Sequence, residues 1–363
     1  MSARERPGRD HPAREPRGAR PASGNRPTPR RSGTGGAQGR RSGAAAPRPQ
    51  TRKSRSVAPA GPSLVVGTTP ALARATGGLL VLAGLLGVAS LFPTYLVVDG
   101  QETQLAAGLA GVLSALVVPL TSIAVGTLLA AGRLPKFGLA HAGVAGALAL
   151  GGLFIELYNG SESTDRAGRE VVAGEWLVTS TVDRGAGWWL GVLGLACLVL
   201  AGGCALAAWG RTVMDDDGAL DPFRPGLAGL AAALGVGTVL CLAVPSVGLP
   251  ELLETDPRTL EQSVIEQQGP EALYGRPGWA LLGGLLLAGA ILLCSVLAPS
   301  LRPRLAAVGA LLAITATVLA AGLAGIRDAG AAELEWTLPG VGLLLLGFAY
   351  AGATVLTWRL RRR

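Results

Sequence analysis

Residues able to bind an ion or a polar solute are rare within the long apolar stretches of this sequence. His141 and Glu156 lie in one such stretch, and the stretch before it carries Pro119, Thr121 and Ser122. An ionisable side chain inside a membrane span marks a candidate transport site, because lipid cannot solvate its charge. Proline beside hydroxyl groups favours a broken helix, which is a second feature of transporters. These five residues are the transport candidates, with packing or interfacial roles as the alternative for His141 and Glu156.

The residue sets that enzymes use are missing. His11 and His141 are the only histidines, and neither a Gly-x-Ser-x-Gly nor a His-Glu-x-x-His motif occurs. The acidic run 214–218 with Asp221 lacks an oxygen ligand at the first position of a calcium loop, so it is predicted to be a solvated turn. The cysteines lie within spans, form no Cys-x-x-Cys pair and are predicted to be buried thiols: Cys197, Cys204, Cys241 and Cys294. We predict no catalytic residue, no cofactor and no metal.

Eight uncharged, apolar stretches must position these candidates. Hydrophobic residues make up 49% of the chain and charged residues 15%, with a mean hydropathy of +0.43, as in membrane proteins. Each stretch can cross about 30 Å of hydrocarbon as a helix. The predicted fold is an all-α transmembrane, multi-pass bundle with spans at 77–98, 105–131, 137–157, 188–209, 226–249, 278–298, 305–326 and 339–358. The second span is the most polar and is predicted to be discontinuous.

The even-numbered spans begin alike. Residues 187–194 and 278–284 each start with Gly-Trp, and 339–344 start with Pro-Gly. Each of these starts follows an acidic loop, which predicts a bundle built from two-span hairpins. The alternative is chance, because glycine and alanine are abundant throughout the chain.

The positions of arginine and lysine predict the orientation. The amino-terminal tail, the short linkers after even-numbered spans and the carboxyl terminus are all basic, whereas the other loops are acidic or mixed. The positive-inside rule therefore places both termini in the cytoplasm. Tryptophans flank the spans as an interfacial belt would: Trp188, Trp189, Trp209, Trp279, Trp336 and Trp358.

Residues 1–70 form a separate Arg/Pro/Gly-rich segment, and residues 71–363 form the membrane domain. Residues 1–74 carry 16 basic and 3 acidic groups, a net charge of +13 (16 − 3). The tail has too little apolar surface to fold and is predicted to be disordered. It is expected to bind anionic lipid, and Ser32, Ser42 and Ser54 are candidate phosphorylation sites that would weaken this binding. A simple tether is the alternative, and no nucleic acid is expected because stacking aromatic residues are absent.

Two long loops on the predicted outer side could recognise a partner. In loop 159–187, the apolar runs 171–172 and 176–178 could pair as strands or lie on the membrane surface. Loop 250–277 is predicted to contain a helix that starts near Asp256 and Pro257. The apolar stripe of this helix would be Leu260, Val264 and Ile265.

The tail, the Gly-Trp starts and the Ala/Gly/Leu spans resemble uncharacterised multispan integral membrane proteins of actinobacteria. The resemblance implies a plasma-membrane protein and transfers no functional residue. The function we predict is a non-enzymatic envelope scaffold or accessory subunit that acts through its outer loops and basic tail. Its expected partners are the lipid bilayer and other envelope membrane proteins. The alternative is a small-solute permease, or secondary transporter, that uses spans two and three.

Overall fold

The structure is a computed structural model of the chain. It describes residues 65–98, 101–106, 108–160, 169–172, 175–178, 182–216, 220–244, 247–248, 252–255, 262–265, 278–329 and 335–360.

Eight α-helices, all long and apolar enough to cross a membrane, make up most of the described chain. They are α1 Ala71–Ala89, α2 Gly108–Ala130, α3 Pro135–Asn159, α4 Ala186–Trp209, α5 Arg224–Ala243, α6 Gly278–Leu297, α7 Arg304–Ala329 and α8 Leu338–Arg359. The predicted all-α transmembrane fold is confirmed. The prediction that the second span is discontinuous is wrong, because α2 continues through Pro119.

The first helix differs most from its predicted bounds. It begins directly after Pro70 and ends at Ala89, whereas the apolar stretch suggested 77–98. The hydroxyl of Ser90 bonds to the carbonyl of Gly87 at this end. Three residues that hydropathy assigned to the span, Leu96–Val98, instead form a strand, since hydropathy alone cannot separate an apolar strand from an adjoining helix.

Short strands lie at the two ends of the bundle. They are β1 Val65–Val66, β2 Leu96–Val98, β3 Gln101–Thr103, β4 Arg169–Val172, β5 Glu175–Val178, β6 Val182–Arg184, β7 Met214–Asp215, β8 Val247–Gly248, β9 Leu252–Thr255, β10 Gln262–Ile265 and β11 Glu335–Trp336. The pairs are all antiparallel: β1 with β7, β2 with β3 and β6, β4 with β5, β8 with β11 and β9 with β10.

These strands test both loop predictions. Strand pairing of 171–172 with 176–178 is confirmed, since Val171 pairs with Trp176. The helix predicted in 250–277 is wrong within the described residues, because Val264 and Ile265 belong to β10 and pair with β9. Their branched side chains favour an extended backbone. Asp256, Pro257 and Leu260 lie outside the described residues.

Consecutive helices pack as the predicted hairpins, and the hairpins form two halves. Helices α1–α4 make the first half and α5–α8 the second. Within the first half α1 packs on α2 and α4, and α3 packs on α4. The second half repeats this pattern, because α5 packs on α6 and α8, and α7 packs on α8. Between the halves, α3 packs on α6, and the equivalent contact is that of α7 with α2. Helices α3 and α7 also pack on each other.

Buried positions repeat between the halves at constant spacing. In α2 they are Gly111, Ser114, Ser122, Val125 and Gly126, and in α6 they are Ala280, Gly283, Ile291, Cys294 and Ser295. In α4 they are Gly194, Leu198, Ala201, Ala205 and Ala208, and in α8 they are Leu343, Gly347, Tyr350, Thr354 and Thr357. Gly108 and Gly278, which begin α2 and α6, both have positive φ (67° and 55°). The bundle is therefore a pair of four-helix repeats related by an approximate two-fold axis that runs along the helices.

The contact surface between the two halves, which we call the seam, consists of α2, α3, α6 and α7. Helices α3 and α7 lie at its centre, because 61% of the most apolar stretch of α3 and 72% of that of α7 are buried, against 28–39% for the other helices. A Cβ atom on Gly309 of α7 would clash with the carbonyl oxygen of Phe137 in α3. The two central helices therefore touch backbone to backbone at this point.

The helix ends form two chemically distinct surfaces. Helices α1, α3, α5 and α7 begin at one surface, the basic end, and the opposite surface is the loop end. Eight described basic residues lie at the basic end: Arg74, Arg133, Lys136, Arg211, Arg224, Arg302, Arg304 and Arg359. This distribution agrees with the charge partition that the sequence predicted.

Candidate functional site

Two of the predicted transport residues, Ser122 and His141, lie on the seam. Both are 1% exposed, and they belong to α2 and α3, the helices of the first half that pack on α7. At about 1.5 Å per residue, Ser122 lies about 12 Å from the end of α2 and His141 about 9 Å from the start of α3. Both ends lie at the basic end, so the two residues occupy similar depths in the bundle.

Each of these residues has a buried polar atom without a hydrogen-bond partner, Ser122 Oγ and His141 Nδ1. The imidazole of His141 does interact with the backbone of Gly309 across the seam. A buried polar group that lacks a partner costs about 1–3 kcal/mol. Such groups are uncommon in folded proteins and mark positions where a ligand can bind.

The other two candidates in the second span, Thr121 and Pro119, are bonded or packed within the bundle. Thr121 donates its hydroxyl hydrogen to the carbonyls of Val117 and Val118, both at 2.9 Å. Pro119 packs against α1, where a Cβ atom on Gly87 would approach its ring to 2.8 Å. Glycine in α1 thus makes room for the proline ring, and the helix does not break.

Glu156 belongs to a separate cluster at the loop end, which we call the loop-end anchor: Tyr95, Glu156, Arg184 and Trp188. Tyr95 OH donates to Glu156 Oε2 at 2.8 Å. Burial, and then the charge of Glu156 and this hydrogen bond, raise the pKa of Tyr95 well above its ordinary value of 10.0. The structure thus separates Glu156 from His141, although both lie on α3.

Main-chain and ring contacts complete the loop-end anchor. The indole Nε1 of Trp188 donates to the carbonyl of Glu156 at 3.1 Å. Arg184 Nε donates to the carbonyl of Gly160 at 2.6 Å, and its guanidinium lies 5.2 Å from the centre of the Trp188 ring. Trp188 is 2% exposed. Trp188 thus flanks α4 as predicted, but its ring packs inside the protein, whereas Trp189, Trp279 and Trp358 flank their helices and are exposed.

The second half contains buried hydroxyl groups that the sequence analysis missed. Ser295 Oγ and Tyr350 OH are 2.7 Å apart, and Thr315 Oγ1 and Thr354 Oγ1 are 3.0 Å apart. The first half has close glycine contacts in comparable places, since a Cβ atom on Gly126 would lie 2.8 Å from the carbonyl oxygen of Gly77. The feature of the sequence that could have indicated these groups is Tyr350, a polar aromatic residue near the middle of the last span. These hydroxyl groups bond to each other and tie helices together.

At the basic end, acidic side chains neutralise arginine and contact helix starts. Asp221 pairs with Arg224 at 2.6 Å and with Arg302 at 3.0 Å. Asp216 Oδ2 accepts a hydrogen bond from the backbone N–H of Arg304 at 2.5 Å, at the start of α7. These carboxylates contact the starts of helices and the arginines beside them, as an N-cap residue does.

Basic side chains also contact the ends of neighbouring helices. Arg304 donates to the carbonyls of Trp358 and Leu360, at 2.9 and 2.8 Å, where α8 ends. Lys136, at the start of α3, lies 5.6 Å from the centre of the Trp209 ring, where α4 ends. A cation near a helix carboxyl terminus is favoured by the helix dipole. The residues that set the predicted orientation therefore also hold the hairpins together.

Within the described residues, no group of three or more His, Cys, Asp or Glu side chains could hold a metal ion. The four cysteines are free thiols, and Cys294 is buried. The candidate phosphorylation sites Ser32, Ser42 and Ser54 lie outside the described residues, as does most of the predicted 1–70 tail. No protein-family model, curated protein or solved structure matches this chain.

Proposed function

We propose that the protein is a permease for a small solute, built from two four-helix halves that meet at the seam. The observation that carries this proposal is the pair of buried, unpartnered polar atoms on seam helices, Ser122 Oγ and His141 Nδ1. Parallel repeats related by an axis along the membrane normal are a common plan of secondary transporters, whose sites lie at the repeat interface. The proposal includes no chemical change of the solute and therefore no enzyme activity.

The test is solute flux into vesicles that contain the purified protein. Glycerol entry after an osmotic step is followed by light scattering, with protein-free vesicles as the control. We expect faster entry with the protein present. Equal rates with and without protein would contradict the permease proposal for this class of solute.

A second candidate function is the envelope scaffold or accessory subunit that the sequence suggested first. The observation in its favour is the loop-end anchor, which fixes β6 against the bundle: Gly185 N–H and Gly187 N–H bond to the carbonyls of Tyr95 and Thr94, each at 3.0 Å. A fixed outer surface suits recognition of another envelope protein. A photo-crosslinking residue at exposed Gln104 should capture one defined partner that the same residue at Arg133 does not. Identical products from both positions would contradict specific recognition at the loop end.

We also propose that the protein lies in the plasma membrane with both termini in the cytoplasm. The collection of eight described basic residues at one end supports this orientation through the positive-inside rule. Cysteine labelling of intact cells can test it with Gln104→Cys at the loop end and Arg133→Cys at the basic end. We expect an impermeant reagent to label only Gln104→Cys before permeabilisation. The reverse pattern would invert the topology.

The basic tail remains a proposed ligand for anionic lipid. A phosphate adds about −1.5 to −2 charges, so phosphates on Ser32, Ser42 and Ser54 would offset roughly five basic residues. Peptides of residues 24–60, plain and phosphorylated, can be compared by co-sedimentation with vesicles of anionic lipid. We expect salt-sensitive binding that phosphorylation weakens, and equal binding of the two peptides would leave only a tether.

A further inference from the structure

Ser122 is an exception among the hydroxyl residues of the described helices. Others in the spans donate to a carbonyl about one turn earlier in the same helix: Thr76, Ser114, Thr121, Thr127, Thr238, Thr315, Thr317, Thr354 and Thr357. Ser295 bonds instead to Tyr350. Back-bonding of this kind is the ordinary way for a span to satisfy serine or threonine. The Ser122 hydroxyl makes no such bond, and the carbonyl of Val118, one turn earlier, already accepts the hydroxyl of Thr121.

His141 has one buried ring nitrogen without a hydrogen-bond partner, Nδ1. In a neutral imidazole one nitrogen carries the hydrogen and the other has a free lone pair. With the hydrogen on Nε2, the lone pair of Nδ1 is free to accept from a hydrogen-bond donor.

The two residues that carry these unpartnered atoms lie at neighbouring depths on two helices that contact each other. Helices α2 and α3 meet where a Cβ atom on Gly138 would lie 2.7 Å from Cβ of Leu129. Moving from this contact toward the loop end, His141 is about 5 Å along α3 and Ser122 about 10 Å along α2. At the spacing that relates α2 to α6, the counterpart of Ser122 is Ile291, which is buried and apolar. The Ser122 position is therefore polar in the first half only.

Charge and hydrogen bonding narrow the class of occupant. A simple anion such as chloride has no hydrogen to donate to Nδ1, and an anion that carries one would still bring an unpaired charge into the bundle. A cation could donate, but it would bring a charge into the bundle where Ser122 and His141 offer no carboxylate, which is costly inside a membrane. A neutral hydroxyl group can donate to Nδ1 and can also accept from, or donate to, Ser122.

We propose that Ser122 and His141 form a binding site for a small neutral solute that carries a hydroxyl group, at the junction of α2, α3 and α7. This inference rests on the proposed permease for its physiological meaning and names the class of solute. Binding itself can be measured without transport, so that the two ideas can fail separately.

The experiment uses the full chain in lipid nanodiscs, with ¹⁵N-labelled histidine and His11→Ala, so that His141 is the one remaining imidazole. Glycerol is the probe, and the ¹⁵N signal of Nδ1 is recorded as its concentration rises. We expect a saturable shift of this signal. Ser122→Ala should weaken the apparent affinity by about tenfold, the effect of one lost hydrogen bond, whereas Thr127→Val, whose hydroxyl bonds to Ala124 at 2.8 Å, should leave it unchanged.

The possible results distinguish the binding site from the permease. An Nδ1 signal that does not respond to glycerol, or that responds equally in the wild type and Ser122→Ala, overturns the site. Ammonium ion that shifts the signal at lower concentration than glycerol overturns the neutral class. Saturable binding without glycerol flux keeps the site and contradicts the permease. Flux that Ser122→Ala and His141→Leu leave unchanged, in protein of normal stability, keeps the permease and removes the site.

Discussion

The phenol of Tyr95 donates a hydrogen bond of 2.8 Å to the carboxylate of Glu156, a residue 61 positions away in the sequence. The bond connects the chain that follows α1 to the end of α3 at the loop end. A hydrogen bond to a charged group contributes about 1.5–3 kcal/mol, and this one is partly buried. The Glu156 carboxylate is thereby committed to structure, which separates it from the seam residues.

Tyr95→Phe should lower the free energy of unfolding by about 1.5–3 kcal/mol, because the carboxylate loses its buried donor. The variant should also change the response to alkaline pH. Since the pKa of Tyr95 is raised in the folded protein, its contribution is complete below about pH 10 and is lost as pH rises above that value. Thermal unfolding of both proteins between pH 8 and 11 is the measurement. A wild type and Tyr95→Phe that lose stability equally above pH 10 would contradict this role.

Ser122→Ala should stabilise the protein by about 1 kcal/mol, or leave it unchanged, when no solute is added. The reason is that the substitution removes a buried hydroxyl that has no partner. Ser114→Ala in the same helix is the matched control, because its hydroxyl bonds to the carbonyl of Gly111 at 2.9 Å. Both variants are compared by thermal unfolding in detergent without glycerol. Clear destabilisation by Ser122→Ala alone would show that Ser122 is already satisfied.

Hydropathy and charge were enough to predict the eight spans and the basic end, because both depend on local composition. The seam could not be predicted in this way, since it joins positions such as Phe137 and Gly309 that are far apart in the sequence. Sequence also drew attention to Ser122 and His141, because polar residues are rare in the spans. That Ser122 lacks a partner while Thr121 has one depends on where each hydroxyl points around α2, which only the packed structure reveals.

Gly77→Ala should destabilise the bundle by about 1–3 kcal/mol, because a Cβ atom there would lie 2.5 Å from the backbone nitrogen of Ala130. The neighbouring residue provides a control of the same chemistry, since a Cβ atom on Gly78 would meet nothing within 4 Å. Gly78→Ala should be neutral or slightly stabilising, as alanine favours helix. Thermal unfolding of the two variants measures the difference, and equal stability would mean that α1 and α2 are less closely packed.

Arg304→Gln should weaken the attachment of α8 at the basic end. The substitution removes the charge-assisted hydrogen bonds to the carbonyls of Trp358 and Leu360, and we expect a loss of about 1.5–3 kcal/mol. Arg302→Gln is the matched control, because the side chain is 66% exposed and surface ion pairs contribute about 0–1 kcal/mol. Protease sensitivity of the chain after residue 356, together with thermal unfolding, would distinguish the two. If the two substitutions lower stability equally, Arg304 contributes no more than an exposed surface arginine does.

The chain that leads into α1 pairs with the linker between α4 and α5, which gives a sharp boundary for deletion. Gly67 N–H bonds to the carbonyl of Val213 at 2.9 Å, next to the pairing of β1 with β7. Among the described strand pairs, this one alone involves the linker between α4 and α5, which connects the two halves. Deleting residues 1–60 should therefore leave the stability of the bundle unchanged, whereas deleting residues 1–67 should lower it by about 1–2 kcal/mol, the net effect of one or two hydrogen bonds.

A disulfide between positions 67 and 213 tests whether the loss of stability comes from the contact between these two strands. A Cβ atom on Gly67 would lie 3.1 Å from Cβ of Val213, and a shift of a few tenths of an ångström gives the separation typical of disulfides. In a background with the four native cysteines replaced by alanine, oxidised Gly67→Cys/Val213→Cys should unfold at a higher temperature than its reduced form. Deletion of 1–60 that destabilises as much as deletion of 1–67 would assign the effect to the tail instead. An oxidised pair no more stable than the reduced pair would show that this strand does not stabilise the bundle.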